Sequence, residues 1–571
     1  MKKCYNFKRG LFILISTFAY IVYALNLHAT FPAVFELSDL NGTNGFMING
    51  IYQKDFAGFI VNGAGDVNGD GIDDMLITAP GSNAFKGQGY LLFGSNKAWS
   101  TTIYLANLNG TNGCIINGIN GVGCITGTGD INGDNVDDIL IGADKAYILF
   151  GSKQEWPRRI DLANFNNSLG FIINLPSNPN YEIGTNYEIG LCKRAGDING
   201  DNIDDILIGA PRANDDVGQS FVIFGSKQQW PLMFNVSNLN GTDGFTINAV
   251  ESVGGSGEFT SGAGDVNGDS IDDILIGTDL ANQVYVVFGS KQQWPATVNI
   301  ANLNGTNGFT INGFGSNSTE GLRVSNVGDV NGDKIDDILI GAPEANNNVG
   351  QSNIVFGRKE NWPAMIKLSD LDGTNGFSIN GKNGQTNAGY TVSGTGDINK
   401  DGINDILIGS RMMTISERGQ SYVIFGSKEQ WPAAVYVESL NGQNGFIINN
   451  AGYSSGAISV GGPGDVNADG INDLMIGVSQ MNSETGQSYV LFGCCKETPP
   501  VPSNTPFILG LGFGIGGGVL LLAGVGYGIY YGYQVFAYIL FVRFCCECVT
   551  DTIYHAIPET INREINYHTI R

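Results

Sequence analysis

The chain has 571 residues, more than one compact core usually holds, so several domains or a repeat array is expected. Its 54 acids against 30 bases give a net charge of −24, which argues against nucleic-acid binding and favours a solvated acidic surface or bound cations. The 83 glycines punctuate apolar runs and do not form a low-complexity tract.

Residues 1–29 read as an export signal. Lys2, Lys3, Lys8 and Arg9 precede an apolar run from Leu11 to Leu27, and the segment ends in a small residue suited to cleavage after Ala29. The length of the run leaves an uncleaved anchor as the alternative. Next comes FELSDLNGTNGFMING, and then an acidic stretch, GDVNGDGIDDMLITAP, from Gly65. That stretch returns from Gly129, Gly196, Gly264, Gly328, Gly396 and Gly464, with first aspartates 64 to 68 residues apart. Seven copies at one period define a repeat architecture.

Each period holds four short apolar segments rich in Ile, Val, Phe and Tyr, bounded by Gly, Asn, Asp or Ser, which is strand chemistry. No long segment of 3.6-residue period occurs in residues 30–495. Four strands per unit and seven units predict an all-β, seven-bladed β-propeller. The array begins on a fourth strand without its first three and ends at SYVLFG, a third strand without its fourth. Gly45–Gly50 is therefore expected to complete the last blade and close the ring, which hides edge strands.

Phenylalanine–glycine pairs follow each third segment: Phe93–Gly94, Phe150–Gly151, Phe224–Gly225, Phe288–Gly289, Phe356–Gly357, Phe425–Gly426 and Phe492–Gly493. A Gly-Ala-Pro element is intact at Gly209–Pro211 and Gly341–Pro343 and looser elsewhere. Over about residues 31–495 the array thus resembles the FG-GAP repeats of integrin alpha-subunit propellers.

Counting the first aspartate of each loop as position 1, hard oxygens fall at positions 1, 3, 5 and 9: Asp66, Asn68, Asp70 and Asp74 in the first copy. Position 7 is Ile72, which offers only its carbonyl, and Gly at position 4 or 6 permits the sharp turn. Alternate residues of a tight loop converge on one point, and oxygens around one point suit Ca²⁺. An EF-hand would carry Glu at position 12, but Ile77 stands there, so the loop joins two strands, as calcium-binding hairpins of integrin-like propellers do. The resemblance extends the set to Asp130, Asn132, Asp134 and Asp138; Asp197, Asn199, Asp201 and Asp205; and Asp265, Asn267, Asp269 and Asp273. It continues with Asp329, Asn331, Asp333 and Asp337; Asp397, Asn399, Asp401 and Asp405; and Asp465, Asn467, Asp469 and Asp473. Up to seven Ca²⁺ are expected, one per blade. Position 8, acidic in five copies and Asn404 and Asn472 in the others, is expected to face solvent or a second shell. The loops hold 26 aspartates, essentially the whole excess of negative charge, and such crowding repels unless a cation compensates it.

The three histidines are His28, His555 and His568, so residues 30–495 contain none, which excludes Ser-His-Asp and Cys-His machinery and histidine zinc sites there. A carboxylate pair could cleave glycosides, but a knot repeated seven times is unlike a singular active site. The resemblance places ligand on the face opposite the calcium loops. The longest connection there, Asn174–Leu191, offers Tyr181 and Tyr187 as contacts. The six tryptophans, Trp99, Trp156, Trp230, Trp294, Trp362 and Trp431, either pack between blades or stack on sugars. Seven N-x-S/T sites, such as Asn41, Asn109, Asn240 and Asn304, suit glycans, though turn chemistry explains those in LNGT.

After the array come a proline-stiffened linker, 496–506, and an uncharged apolar stretch, 507–542, longer than the ~20 residues a membrane helix needs. One C-terminal transmembrane helix is expected, with a short cytoplasmic tail at 543–571 and the propeller outside, a single-pass type I protein of the cell membrane. Gly510, Gly514 and Gly518, then Gly524, Gly528 and Gly532, form ridges that suit a partner helix. Among the outer cysteines, Cys114 and Cys124 are the expected pair. The expected function is a calcium-binding surface adhesion or recognition protein, not an enzyme, with a protein or glycan ligand on a cell surface. A lectin-like propeller is the alternative and a surface hydrolase the third reading.

Overall fold

The structure, a computed structural model, describes residues 31–493 except 120, 144, 176–193, 250–255, 279–281, 314–321, 360–361, 383, 385, 412–418 and 450–457, together with 529–530 and 533–534. Two units separate at Thr498 and Pro499. In the second, the described residues form a minimal antiparallel pair, Ile529–Tyr530 against Tyr533–Gln534. Among the described residues no helix is long and apolar enough to cross a membrane. The expected signal, the linker, most of the expected span and the tail lie outside the described residues, as do Tyr181 and Tyr187.

The first unit is a ring of seven sheets. In blade 1, Val61–Gly65, Asp74–Ala79, Gln88–Leu92 and Gly113–Asn117 run antiparallel from the hub outwards. The second strand is buried at every position, as its uninterrupted apolar run demands. Blade 3 repeats the plan with Ile206–Ala210, Gln219–Ile223 and Gly244–Asn248, its inner strand being described only as a bridge between Gly196 and Asp205. The other blades match, and the helices among the described residues are three- and four-residue turns.

Two features depart from four strands per unit. Each blade carries a fifth, outermost strand that runs parallel to strand 4 and belongs to the next repeat: Arg159–Asp161 lies on Gly113–Asn117 of blade 1, and Thr102–Tyr104 on Gly45–Asn49. Sequence periodicity misses these segments because they are three residues long, too short for an alternation to register. Second, the amino-terminal segment serves two blades. Val34–Glu36 is the fifth strand of blade 6, on Gly445–Asn449, while Gly45–Asn49 is the fourth strand of blade 7, antiparallel to Gln487–Leu491. The expected closure by Gly45–Gly50 is therefore realised, with an additional strand.

Apolar cores lie between blades, each built from facing strands of neighbours. The tryptophans belong to them. Trp99, Trp230, Trp294, Trp362 and Trp431 each stack on the strand-4 phenylalanine of the preceding blade: Phe46, Phe171, Phe245, Phe309 and Phe377, at centroid distances of 4.1–4.3 Å. At blade 6 Phe31 takes the tryptophan's place over Phe446, 4.4 Å away. In blade 1 the phenylalanine is replaced by Cys114, and Trp156 instead meets Phe93 edge-on. The packing alternative for the tryptophans is the one realised.

The expected Cys114–Cys124 pair is overturned. Cys114 is a free, buried thiol, and Cys124 is disulfide-bonded to a different residue. Cys114 occupies a strand-4 core position, where its side chain fills the place of an aromatic ring and faces the Trp156 core rather than Cys124. Burial pushes its pKa up to about 12, which leaves almost no thiolate at neutral pH. A thiol reagent at pH 8 is expected to spare Cys114 in the folded protein and label it promptly in urea. Equal rates in the two states would contradict this placement.

Candidate metal loops

Each acidic stretch is an eight-residue hairpin loop joining strands 1 and 2, as at 66–73, and its hydrogen bonds explain its residue types. In loop 1 both oxygens of Asp66 accept loop amides, Oδ1 from Asp70 N–H (3.0 Å) and Oδ2 from Gly71 N–H (2.7 Å). Asn68 Oδ1 accepts from Asp70 N–H (2.9 Å), and Asp70 Oδ1 from Ile72 N–H (3.0 Å). These are Asx-type turns, which oxygen-bearing short side chains make and alkyl ones cannot. The turn is left-handed at both position 4 and position 6, as at Gly69 and Gly71. Where glycine is missing the left-handed geometry persists, at Asn135, Asn202, Ser270 and Lys334 (position 6) and at Lys400 and Ala468 (position 4). Ala468 has φ +60 with no side-chain oxygen to support it. Ala468→Gly is expected to stabilise the fold by about 0.5–1 kcal/mol, seen as a higher urea midpoint; a lower midpoint would contradict it.

Position 9 forms the floor. Asp74, Asp138, Asp205, Asp273, Asp337, Asp405 and Asp473 are each 0% exposed. In loop 1, Asp74 Oδ2 accepts Val67 N–H (3.1 Å) and Oδ1 accepts Gly94 N–H (2.8 Å), the glycine of the Phe-Gly pair. The same two bonds recur in all seven blades, for example Asp337 with Val330 and Gly357, and Asp473 with Val466 and Gly493. The phenylalanine–glycine signature is thus the far end of the acidic loop. None of the seven carboxylates forms an ion pair with a described residue. Burial, reinforced by the position-5 and position-1 carboxylates, outweighs the two amide bonds and pushes Asp74 and Asp473 up to about 8. It also holds Asp138, Asp205, Asp273, Asp337 and Asp405 well above the ordinary carboxylate range.

Among the described residues no group of three or more His, Cys, Asp or Glu side chains is drawn together as a ready-made metal cage. The predicted residues of each loop do share one hairpin, with position 1 turned onto the loop's own amides and position 9 beneath it. The donor set fits a hard cation: every polar group is a carboxylate, an amide oxygen or a carbonyl. In loop 2, Asn132 Oδ1 is buried and has no donor, an oxygen of the kind a cation would satisfy.

Position 8, for which solvent or a second shell was expected, reaches across to the loop of the preceding blade. Asp137 Oδ2 of blade 2 accepts Asp66 N–H of blade 1 (2.8 Å), while Asp137 N–H donates to Asp66 C=O (3.2 Å). The glycine before each position 1 now has a reason: a Cβ at Gly129, with φ +78, would lie 2.1 Å from Asp204 Oδ2. Asp73, Asp137, Asp272 and Asp336 line the central channel, a cavity of about 510 Å³ into which Arg194 also faces, paired with Asp204 at 2.8 Å. The Asp-Asp doublet was the sequence signal for this seam, but only the ring geometry says which of the two faces a neighbour.

Seven sheets around a channel, each with an acidic 1–2 hairpin and a Phe-Gly pair on the same face, define a β-propeller of FG-GAP type. The FG-GAP repeat family matches residues 61–92, 194–223 and 322–355, within blades 1, 3 and 5. Among curated proteins, integrin alpha-6 of Gallus gallus is 30% identical over 223 residues, 36% of this chain and 17% of its own length. Integrin alpha pat-2 of Caenorhabditis elegans is 29% identical over 254 residues, 42% of this chain and 19% of its own. Integrin alpha-V of Gallus gallus is 25% identical over 227 residues, 39% and 20% respectively. The chain thus carries FG-GAP repeats and is similar to part of integrin alpha chains, and its matches span a fifth or less of the length of these relatives.

Proposed function

We propose that this is a calcium-stabilised recognition or adhesion protein of the cell surface, with the propeller of residues 30–495 outside, a single membrane helix within 507–542 and a short inner tail. The observation that carries the reading is the sevenfold repetition of a fully buried position-9 carboxylate without a cationic partner, in a propeller similar to part of integrin alpha chains. Positions 1, 3, 5 and 9 and the position-7 carbonyl would hold the ion in each loop. When bound, Ca²⁺ neutralises the crowded carboxylates and ties the loop to the floor of the blade. The chain's own part is to pre-form the turn, through left-handed positions 4 and 6, and to fix position 9 against strand 3.

In this reading the ions hold the scaffold and ligand meets the opposite face, with Tyr181 and Tyr187 as the contacts we assign to it from the sequence. The glycine ridges of the membrane segment take a partner helix. The carbohydrate alternative loses its chief support, since the tryptophans stack on buried phenylalanines. Seven equivalent loops supply a scaffold and no singular catalytic centre. The test is adhesion of cells displaying the full chain to protein-coated and glycan-coated surfaces, in calcium and in chelator. Calcium-dependent attachment to a protein surface supports the reading. Attachment to glycans alone, or attachment indifferent to chelator, overturns it.

A further inference from the structure

We infer that the position-8 residues are positioning residues for the ion loop of the preceding blade, and that they divide the seven loops into five tight sites and two weak ones. The inference rests on the proposed calcium role of the loops. Its basis is a reciprocal pair of hydrogen bonds at five of the seven blade seams, closing on the backbone of position 1.

Five seams carry the full latch. Asp73 holds Asp465, Asp137 holds Asp66, Asp204 holds Asp130, Asp272 holds Asp197 and Asp336 holds Asp265, each Oδ2 accepting the position-1 N–H at 2.8–3.0 Å. The position-8 N–H returns a bond to the position-1 carbonyl in all five, at 3.1–3.3 Å. The latch thus fixes the peptide groups on both sides of the position-1 Cα, which sets where that carboxylate points. Except at Asp204, whose carboxylate pairs with Arg194, it also leaves a second negative charge beside the loop of the neighbouring blade.

The other two seams flank blade 6 and carry asparagine. Asn404 keeps only its N–H bond to Asp329 C=O (3.0 Å). Its Nδ2 is turned towards Gly328, whose own N–H is taken by Asn326 Oδ1 (2.7 Å). Asn472 packs against Gly396, and among the described residues neither bond to Asp397 forms. An amide presents a donor where the carboxylate presented an acceptor, and it brings no charge. Loops 5 and 6, which begin at Asp329 and Asp397, therefore have position-1 carboxylates that are less firmly aimed and sit in a weaker field. Both keep oxygens at positions 1, 3, 5 and 9, and both also carry a lysine inside the loop, Lys334 at position 6 and Lys400 at position 4, so the asparagine-to-aspartate substitutions below, which leave those lysines in place, separate the latch from the lysine charge.

The experiment is a calorimetric calcium titration of the full chain after chelator removal. Five ions are expected in one class and two in a second, weaker by about tenfold or more, the size of effect expected for losing a charge-assisted hydrogen bond. Asn404→Asp with Asn472→Asp should merge all seven into the tight class, a gain that misfolding cannot imitate. Asp137→Ala should move one site, giving four and three, whereas a merely structural role for Asp137 would weaken all seven together. Seven equal sites in the wild type, or a five-and-two division unchanged by these substitutions, overturns the latch while leaving calcium binding intact. No bound calcium at all overturns both readings.

Discussion

In excess chelator at pH 7.5 the propeller is expected to melt on the order of 10 °C or more below its melting temperature in millimolar calcium. Linkage sets the scale: a ligand present at a thousand times its Kd contributes about 4 kcal/mol per site, and the ring has up to seven loops. The direction with pH follows from the position-9 carboxylates. Burial raises Asp74 and Asp473 to about 8 and their five counterparts in the same direction. A carboxyl whose pKa is higher in the folded state than in the unfolded state favours folding while both states are protonated, near pH 4 and below. That contribution is lost as pH rises through the folded value near 8. Without the ion, stability should therefore fall between about pH 4 and pH 8. With calcium compensating the charge the fall should be small, so the gap between the two melting temperatures should widen with pH. Differential scanning calorimetry at pH 5 and pH 8 measures it. A gap of equal size at both pH values, or none at either, would falsify the compensating-cation reading.

Phe46→Ala is expected to destabilise the whole ring by about 3–5 kcal/mol, the range for deleting a buried aromatic side chain. Phe46 is 0% exposed, stacks on Trp99 at 4.2 Å and meets Phe492 edge-on at 5.8 Å. It stands on the strand that the amino-terminal segment lends to blade 7, where closure is made by hydrogen bonds and packing between distant parts of the chain. Loss of this core should lower the melting of every blade, because each blade buries its faces only against its neighbours. Val34→Ala is the control: Val34 is 45% exposed on an outermost strand and should cost about 0.5 kcal/mol or less. A separate early transition confined to blade 7 would show that the ring does not melt as one unit.

The same residues mark how far reading from sequence could go. Asp66, Asn68, Asp70 and Asp74 were legible as one loop because alternation in a tight turn is a local property, and each turn bond stays within five residues of its partner. The role of Asp74 was only half legible: its second amide comes from Gly94, twenty residues away and just past strand 3. For Asp73 the sequence leaves solvent and a second shell both open, because its partner Asp465 is 392 residues distant. Cys114 and Cys124, the expected pair, stand on strand 4 and strand 1, which direct their side chains into different cores.

The sequence by itself determined the number of blades, the four main strands of each, the acidic hairpins and the closure by the amino-terminal segment. All of these follow from a repeated local pattern, since strand period, turn chemistry and repeat length are written within one unit of 64 to 68 residues. Tertiary structure decided the fifth strands, the tryptophan–phenylalanine stacks, the free thiol and the seam bonds of position 8. Each of these joins a residue of one repeat to a residue of another. Identical repeats carry no mark of which side chain will meet the neighbour, and only the curvature of the closed ring, which brings Asp137 to Asp66 and leaves Asn472 without its bond to Asp397, makes that choice.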